Sequence, residues 1–323
     1  MSPIIESLPI LILYPHGRCN CRCLMCDIWK DRVAGQMSAS ELERHLGDLE
    51  SLRVQRVVFS GGEPLMHSDL FRFCALLRGR GIRTTLLSTG LLFTRHAASI
   101  VESIDDAIVS LDGPPGIHDR IRRVRGAFEH LERGIKAVLA LRPDFPVSAR
   151  CTVQRENCGS LRETARAARR LGLRSLSFLA ADVASEAFNR AEPWSADRRS
   201  QIALSEAEIA ILEAEIDALT AEWVRTGFVL ESREKLLRIS HHFRVCLGLA
   251  EPVAPRCNAP WVSAVVEADG TVRPCFFHRP IGRLNGRGLL NVLNGPAAVA
   301  FRASLDVNAN PVCRQCVCSL YWT

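Results

Sequence analysis

Thirteen cysteines are distributed unevenly along the 323 residues. One group of four lies within residues 19–26, and one group of five lies within residues 257–318. Thiolates bind zinc ions and iron–sulfur clusters, and a reducing compartment disfavours disulfides. The two groups therefore predict two metal sites, one near each end of the chain.

The first group contains the spacing Cys19-x3-Cys23-x2-Cys26 directly after the first predicted strand. Three thiolates on a four-iron cluster leave one iron open, and an open iron can hold a substrate or a cofactor. A zinc site is the alternative, but structural zinc takes four ligands, and Cys21 and His16 are the nearby candidates for the fourth. We expect Cys21 to be a bystander, since its spacing from Cys19 and Cys23 strains simultaneous ligation.

Gly61-Gly62-Glu63-Pro64 ends the second predicted strand. Two glycines permit a close approach of the backbone to a ligand, and Glu63 offers an acceptor for an ammonium group. By itself this run is most simply a turn. Its position one strand after the cysteine motif is what favours a binding role.

The second group is Cys257-x12-Gly270-x4-Cys275, followed by Cys313-x2-Cys316 and by Cys318. A hairpin with a cysteine at each base and a C-x2-C loop can bring four thiolates to one focus. A zinc ribbon is the alternative for this pattern.

Short apolar runs alternate with amphipathic stretches over the first 180 residues. The predicted strands are 10–14, 56–60, 83–87, 107–111, 147–153 and 175–179, and the predicted helices are 41–52, 69–78, 95–102, 128–141 and 161–171. Serial β/α units imply a parallel sheet with right-handed crossovers. Six units, where a closed barrel needs eight, predict an α/β fold with a partial (β/α)6 barrel.

The pattern changes after the sixth strand. Residues 181–200 are predicted to be a loop, a capping box at Ser205 starts a long helix, and a second helix covers about 231–246. Residues 261–267 and 271–275 predict a β-hairpin. We expect three parts: a barrel at 1–202, linking helices at 203–250, and a small hairpin and helix iron–sulfur domain at 251–323 that needs a metal for stability.

The combination of motifs and β/α order resembles the radical S-adenosylmethionine (SAM) enzymes over about the first 200 residues. The resemblance implies a [4Fe–4S] cluster on Cys19, Cys23 and Cys26 whose open iron binds SAM, and reductive cleavage to a 5′-deoxyadenosyl radical. It assigns SAM contacts to Gly61, Gly62, Glu63, Pro64, Ser88, Thr89, Ser110 and Asp112. The sequence departs from the family at Met25, where many members carry an aromatic residue, and it lacks the usual Asn of the third-strand motif. Arg150 on strand five is a candidate for the SAM carboxylate, with an ordinary salt bridge as the alternative.

The C-terminal cysteines resemble the shortened "twitch" form of the SPASM domain, which holds one auxiliary [4Fe–4S] cluster. A full SPASM domain has its next cysteine where this chain has Trp322, so we expect two clusters in total. The favoured auxiliary ligands are Cys257, Cys275, Cys313 and Cys316, with Cys318 as a substitute.

Several other residues are weaker candidates for a functional role. Cys246 is a candidate hydrogen-atom donor for an epimerisation, although a small buried side chain is the commoner role of a free cysteine. Cys74, Cys151 and Cys158 are expected to be packing residues. We expect His241 and His242 on a solvated helix face, and we expect Asp182 and Trp194 to line a substrate pocket.

Composition excludes several function classes. The net charge is 41 − 35 = +6, the arginines are scattered as on solvated helix faces, and 6% of residues are aromatic, which disfavours a nucleic-acid partner. No apolar run approaches the ~20 residues of a membrane span. The N-terminus lacks the pattern of an export signal, so we expect a cytoplasmic protein.

The predicted function is hydrogen-atom abstraction from a polar small molecule or carbohydrate, leading to oxidation or epimerisation in natural product biosynthesis. An external donor such as flavodoxin or ferredoxin is expected to supply the electron. A peptide-modifying maturase is the alternative, disfavoured because a motif starting at residue 19 leaves no room for an N-terminal recognition domain. A non-catalytic iron–sulfur or zinc protein is the alternative of another class.

Overall fold

The computed structural model describes residues 1–30, 35–188, 190 and 192–323. Nine strands form one sheet in the order β6-β5-β4-β3-β2-β1-β7-β8-β9. The strands are β1 Ile10–Leu13, β2 Arg56–Phe59, β3 Arg83–Ser88, β4 Asp106–Ser110, β5 Val147–Val153, β6 Leu176–Ala180, β7 Ser263–Val266, β8 Thr271–Arg273 and β9 Gly282–Arg283. The helices are α1 Ala39–Glu43, α2 Leu46–Ser51, α3 Leu70–Arg78, α4 Phe93–Ser103, α5 Pro115–Arg122, α6 Ala127–Leu141, α7 Leu161–Arg170, α8 Ala196–Ile202, α9 Glu206–Glu222, α10 Arg233–Cys246, α11 Ala259–Val262, α12 Leu289–Leu293, α13 Pro296–Ser304 and α14 Pro311–Arg314.

Strands β1 to β6 are mutually parallel, and helices connect them. Strand β5 shows why these segments form strands: its first, third, fifth and seventh residues are buried and the residues between them are not. This period of two places the buried residues on one face of the sheet and the less buried residues on the other. The α/β class and the six parallel units are confirmed, and the sheet is open, with β6 and β9 at its edges.

The C-terminal strands continue the barrel sheet. Strands β7 and β8 form the predicted antiparallel hairpin, and β9 adds to it. Strand β7 also pairs in parallel with β1, from Ile10 opposite Ser263 to Leu13 opposite Val266. The second cysteine group is therefore joined directly to the strand that precedes the first group.

The helices differ from expectation in three places. The predicted helix 41–52 is divided into α1 and α2, and α5 was not predicted. Helix α8 begins inside the predicted loop 181–200 and ends at Ile202, and the Ser195 side chain caps it by accepting from the Arg198 amide. The capping box at Ser205 and Glu208 begins α9 as predicted. Within the described residues, no helix is both long and apolar enough to cross a membrane.

Candidate functional site

The first cysteine loop follows the C-terminal end of β1 and is held by the end of α5. The Arg22 amide donates to the Arg122 carbonyl at 3.2 Å, and the Leu24 amide donates to the Ile121 carbonyl at 3.0 Å. Because backbone groups of the barrel fix this loop on both sides of Cys23, its conformation is set by the fold around it.

The thiols of this loop influence one another electrostatically. A hydrogen bond between Cys21 and Cys23 lowers the pKa of Cys23 to about 6 and raises the pKa of Cys21. Burial, with a contribution from nearby Cys23, raises the pKa values of Cys19 and Cys26 to about 12. Four close thiols suit a cluster that binds thiolates, since ligation itself drives deprotonation. The expectation that Cys21 is a bystander to ligation stays a prediction.

Arg122 is the residue that the sequence analysis missed. From the sequence, Arg122 is expected on a solvated helix face with the other scattered arginines. Its side chain is instead buried, and its Nη1 donates to Cys23 Sγ at 3.4 Å. Its Nη2 pairs with Asp112 Oδ2 at 2.5 Å. The signal was present in α5, where His118, Ile121 and Arg122 share one buried face at helical spacing.

The two glycines after β2 are required by the cysteine loop itself. A Cβ on Gly62 would lie 1.9 Å from the carbonyl oxygen of Arg18. Gly61 has φ of +94° and would place a Cβ 3.0 Å from the side chain of Tyr14. Both positions therefore favour glycine, because the chain leading to Cys19 packs directly on this turn.

Glu63 lies at the centre of the strand ends, fully buried. Its carboxylate accepts from Ser88 Oγ at 2.9 Å, from the Thr89 amide at 2.7 Å and from Thr89 Oγ1 at 2.6 Å. Burial raises the pKa of Glu63, and these hydrogen bonds act against that rise. Glu63, Ser88 and Thr89 thus form one network between β2 and β3, with Pro64 starting the turn that follows. Their contacts with SAM stay predictions.

Asp112, Ser110 and Arg150 lie around β4 and β5. Asp112 is buried, and its Oδ1 accepts from the Thr152 amide at 2.9 Å. Because this hydrogen bond fixes the carboxylate, the carboxylate in turn orients Arg122. Ser110 is opposite Arg150 in the sheet. Arg150 is exposed, its Nε donates to Ser177 Oγ at 3.2 Å, and it forms no ion pair with the described residues. Its role toward SAM stays a prediction.

The segment after β6 fastens the other side of the cysteine loop. Arg190 pairs with Asp182 at 2.7 Å and stacks on Trp194, with its guanidinium 3.8 Å from the ring centroid. Trp194 Nε1 donates to Asp27 Oδ2 at 2.7 Å. Arg198, on α8, donates to the Leu24 carbonyl. Asp182 and Trp194, expected in a substrate pocket, instead hold residues 24–27.

The C-terminal cysteines line a second site. Cys257, Cys275, Cys313 and Cys316 surround a cavity of about 340 Å³ whose other lining residues are mostly apolar. One close polar contact on a thiol there is from His278, whose Nε2 is 3.3 Å from Cys313 Sγ. Within the described residues, no three His, Cys, Asp or Glu side chains are grouped as ligands of one metal ion, at this site or at the first. The four thiols as ligands of an iron–sulfur cluster stay a prediction.

Cys318 lies outside that cavity and lines the neighbouring groove, together with Cys316. The Cys316 thiol donates to the Cys318 carbonyl at 2.9 Å. The structure therefore favours Cys316 over Cys318 at the cavity.

The remaining thiols and histidines are distributed as follows. Cys246 is exposed at the end of α10, which corrects the buried packing role expected as the commoner one, and its Sγ is 3.7 Å from Nε2 of His242. His242 is buried, which corrects the solvated face expected for it, and burial lowers its pKa to about 4. Buried positions for the other three free cysteines, Cys74, Cys151 and Cys158, agree with packing roles.

Comparison with known proteins places this geometry in a family. Residues 13–174 match the model of the radical SAM superfamily, and residues 257–317 match the SPASM model, an iron–sulfur cluster-binding domain. An AdoMet-dependent heme synthase of Oleidesulfovibrio alaskensis is 31% identical over 144 residues, which cover 43% of this chain and 37% of the relative. A PqqA peptide cyclase of Bradyrhizobium diazoefficiens is 28% identical over 161 residues, covering 48% of this chain and 41% of the relative. The matches thus span less than half of either relative.

Solved structures share the fold at low identity. Streptococcus suis SuiB bound to S-adenosylmethionine has a TM-score of 0.67 and 15% identity, covering 98% of this chain and 74% of that one. The structure of anSMEcpe with bound AdoMet has a TM-score of 0.70 and 18% identity, covering 93% of this chain and 84% of that one. The chain belongs to the radical SAM superfamily, carries a SPASM iron–sulfur domain, and uses SAM and [4Fe–4S] clusters as cofactors.

Proposed function

We propose that Cys19, Cys23 and Cys26 hold a [4Fe–4S] cluster that binds SAM, and that the enzyme abstracts a hydrogen atom from a polar small molecule. The observation that carries the proposal is the packing of the three-cysteine loop on the turn at Gly61 and Gly62, at the C-terminal ends of β1 and β2. When bound, the cluster and SAM supply a 5′-deoxyadenosyl radical after one-electron reduction, for which we propose a flavodoxin or ferredoxin donor.

The protein's own residues orient this site. Arg122 donates to the Cys23 sulfur, and Asp112 fixes the Arg122 guanidinium. Glu63 ties the ends of β2 and β3 together, while Trp194 braces Asp27 from the opposite side. The proposed catalytic advantage of these contacts is that the cluster loop needs no rearrangement when SAM binds.

A second [4Fe–4S] cluster is proposed for Cys257, Cys275, Cys313 and Cys316 within a domain at 251–323, after a barrel at 1–202 and linking helices at 203–250. When held by these four thiols, a cluster would supply an acceptor for one electron from the substrate radical. The substrate would first lose a hydrogen atom and would then lose one electron and one proton. Together these losses are a two-electron oxidation of the substrate. The four-thiol cavity supports this assignment.

The test is anaerobic reconstitution followed by measurement of iron and of 5′-deoxyadenosine. Wild type should hold about eight irons and cleave SAM. Replacing Cys19, Cys23 and Cys26 by Ala should remove about half the iron and all SAM cleavage, whereas Cys158→Ala, a buried thiol outside both groups, should retain both. SAM cleavage by the triple variant would overturn the site. Absence of cleavage by wild type would favour a non-catalytic metal protein.

Epimerisation is the competing outcome at the same site, with Cys246 as the hydrogen-atom donor. In heavy water the exchangeable thiol would deliver deuterium, so the product would gain about one mass unit. An oxidised product would instead be about two mass units lighter. Mass spectrometry of product from wild type and Cys246→Ala separates the two. Deuterium incorporation that disappears in the variant would replace oxidation by epimerisation.

Peptide modification is a second candidate. It is favoured by the match to a PqqA peptide cyclase over 161 residues. A peptide encoded beside this protein that stimulates 5′-deoxyadenosine formation and changes mass would establish it over the small-molecule proposal.

A further inference from the structure

A groove of about 550 Å³, open to solvent, lies beside the auxiliary cavity. Its walls are the end of β6, one face of α10 and the C-terminal residues 314–319. Part of this volume is open solvent above the lining residues. It lies along β6, one edge of the open sheet, and nothing in the assigned SAM site uses it.

The charged groups that line the groove are all basic. Lys235, Arg238 and Arg314 contribute to its walls, and no Asp or Glu occurs among the described lining residues. Arg238 Nη2 donates to the Val253 carbonyl at 3.0 Å and Arg314 Nε donates to the Pro252 carbonyl at 2.9 Å. Because carbonyls are neutral, these bonds orient the two guanidinium groups without cancelling their charge.

The nearby carboxylates neutralise little of the positive charge of Lys235, Arg238 and Arg314. Glu251 Oε2 is 3.9 Å from Arg314, but its side chain is 92% exposed, so that pair contributes little. Glu231 lies beneath Lys235 and accepts from the Phe178 amide at 3.0 Å. Burial raises the pKa of Glu231, while Lys235 and Arg150 act against that rise. Lys235 itself is exposed and forms no ion pair in the described part of the chain.

Apolar and sulfur-containing side chains line part of the remaining walls, beside the polar His241, His242, Gln315 and Ser319. Phe178, Ile239, Val245 and Val317 supply apolar surface. Such a surface favours a ligand with an apolar body, since a simple inorganic anion would leave this surface uncovered. Cys316 lines both this groove and the four-thiol cavity, so a ligand in the groove would lie next to the proposed auxiliary cluster.

We infer that the groove binds an amphipathic organic anion, a small molecule with carboxylate or phosphate groups on an apolar body, through Lys235, Arg238 and Arg314. As a statement about substrate, the inference rests on the proposed function. It narrows the polar small molecule of that proposal to an anionic one.

The test is fluorescence titration of anaerobically reconstituted holoenzyme with naphthalene-2,6-dicarboxylate. Its dimethyl ester is the neutral control, and inorganic phosphate and a hexaglutamate peptide are the competitors. Lys235→Gln should raise the Kd for the dicarboxylate about threefold and Lys235→Glu about tenfold, as for one partly solvated ion pair removed or reversed. Lys136→Gln, the same change on the outer face of α6, should leave the Kd unchanged.

The outcomes separate the alternatives. Equal affinity for the dicarboxylate and its ester, or an unchanged Kd in Lys235→Glu, would overturn the inference. Phosphate that competes as well as the dicarboxylate would reject the apolar body, and tighter binding of hexaglutamate would assign the groove to acidic peptides. The titration needs no SAM cleavage. A protein that binds the dicarboxylate through Lys235 but forms no 5′-deoxyadenosine would refute the proposed function and leave the anion site standing.

Discussion

The two cysteine sites are built in opposite ways. Around the first loop, a buried ion pair, backbone hydrogen bonds from α5 and the Trp194 contact hold the chain from several sides. Around the second, four thiols face a largely apolar cavity, and their close polar contacts include His278 with Cys313 and the Cys316 thiol with the Cys318 carbonyl.

This difference indicates which site depends on its metal for folding. The first loop belongs to the main core, whose strands and helices bury a large apolar surface without any cofactor. The second is joined to that core through β7 and α12, but Cys313 and Cys316 lie on or beside short elements, such as α14 with four residues, that bury little surface of their own. For such elements, metal ligation replaces the missing core.

The largest expected effect is therefore on metal removal. Chelation of iron from the anaerobic protein should greatly increase amide hydrogen exchange in residues 257–318, because ligation energy stabilises that region. Residues 19–26 should change much less, since barrel contacts hold them. Hydrogen-exchange mass spectrometry of the holo and apo forms measures both. Equal loss of protection at the two sites would remove the contrast.

Arg122→Met should give the next largest effect. It leaves the buried Asp112 carboxylate without its cation, which costs about 3–5 kcal/mol of unfolding free energy. Chemical denaturation of the apoprotein measures this cost. Arg133→Met, which removes an exposed pair with Glu129, is the control and should cost less than about 1 kcal/mol. A similar cost for both variants would show that the Asp112 pair does not stabilise the first loop.

Trp194→Phe tests whether the hydrogen bond from Trp194 to Asp27 stabilises the first cysteine loop. The expected loss of stability is smaller than that for Arg122→Met. The substitution keeps an aromatic ring beside Arg190 but removes the indole donor to the Asp27 carboxylate, at an expected cost of about 1.5–3 kcal/mol. Denaturation midpoints report stability, and iron content at the first site reports loop order. Trp322→Phe, at an exposed ring, is the control. An unchanged midpoint in Trp194→Phe would contradict the brace.

Acidification should give the smallest of the expected effects, a modest loss of folding stability that arises at His118, beside the first cysteine loop. Burial lowers the pKa of His118 to about 3, so the ring stays neutral in the folded protein and gains a proton on unfolding. This contribution to stability is complete above pH ~6.5 and is lost as the pH falls toward 3. Between pH 7.5 and 6.0, His118→Gln should lose about 1 kcal/mol less stability than wild type. Exposed His130→Gln is the matched control; identical pH dependence of all three proteins would contradict it.

Local sequence patterns predicted much of the fold. The predicted bounds of strand β5 agree with the structure because its buried and less buried positions alternate along consecutive residues, and the local sequence shows this alternation. The capping box at Ser205 marked the start of α9 for a similar reason, since the four residues involved are adjacent. Helix α5 was missed because Pro115 and Gly116 weaken a helical pattern that the buried face of His118 and Arg122 stabilises through tertiary contacts.

Cysteine spacing and strand order were enough to identify two cysteine sites and the family, because both are properties of nearby residues. Tertiary structure alone decided that β7 pairs with β1, that Arg122 reaches the Cys23 sulfur, and that Lys235 and Arg314 face one groove. These contacts join residues about 80 to 250 positions apart. No local periodicity records such pairings, since they depend on how the sheet curves and on which polar groups burial forces to find partners.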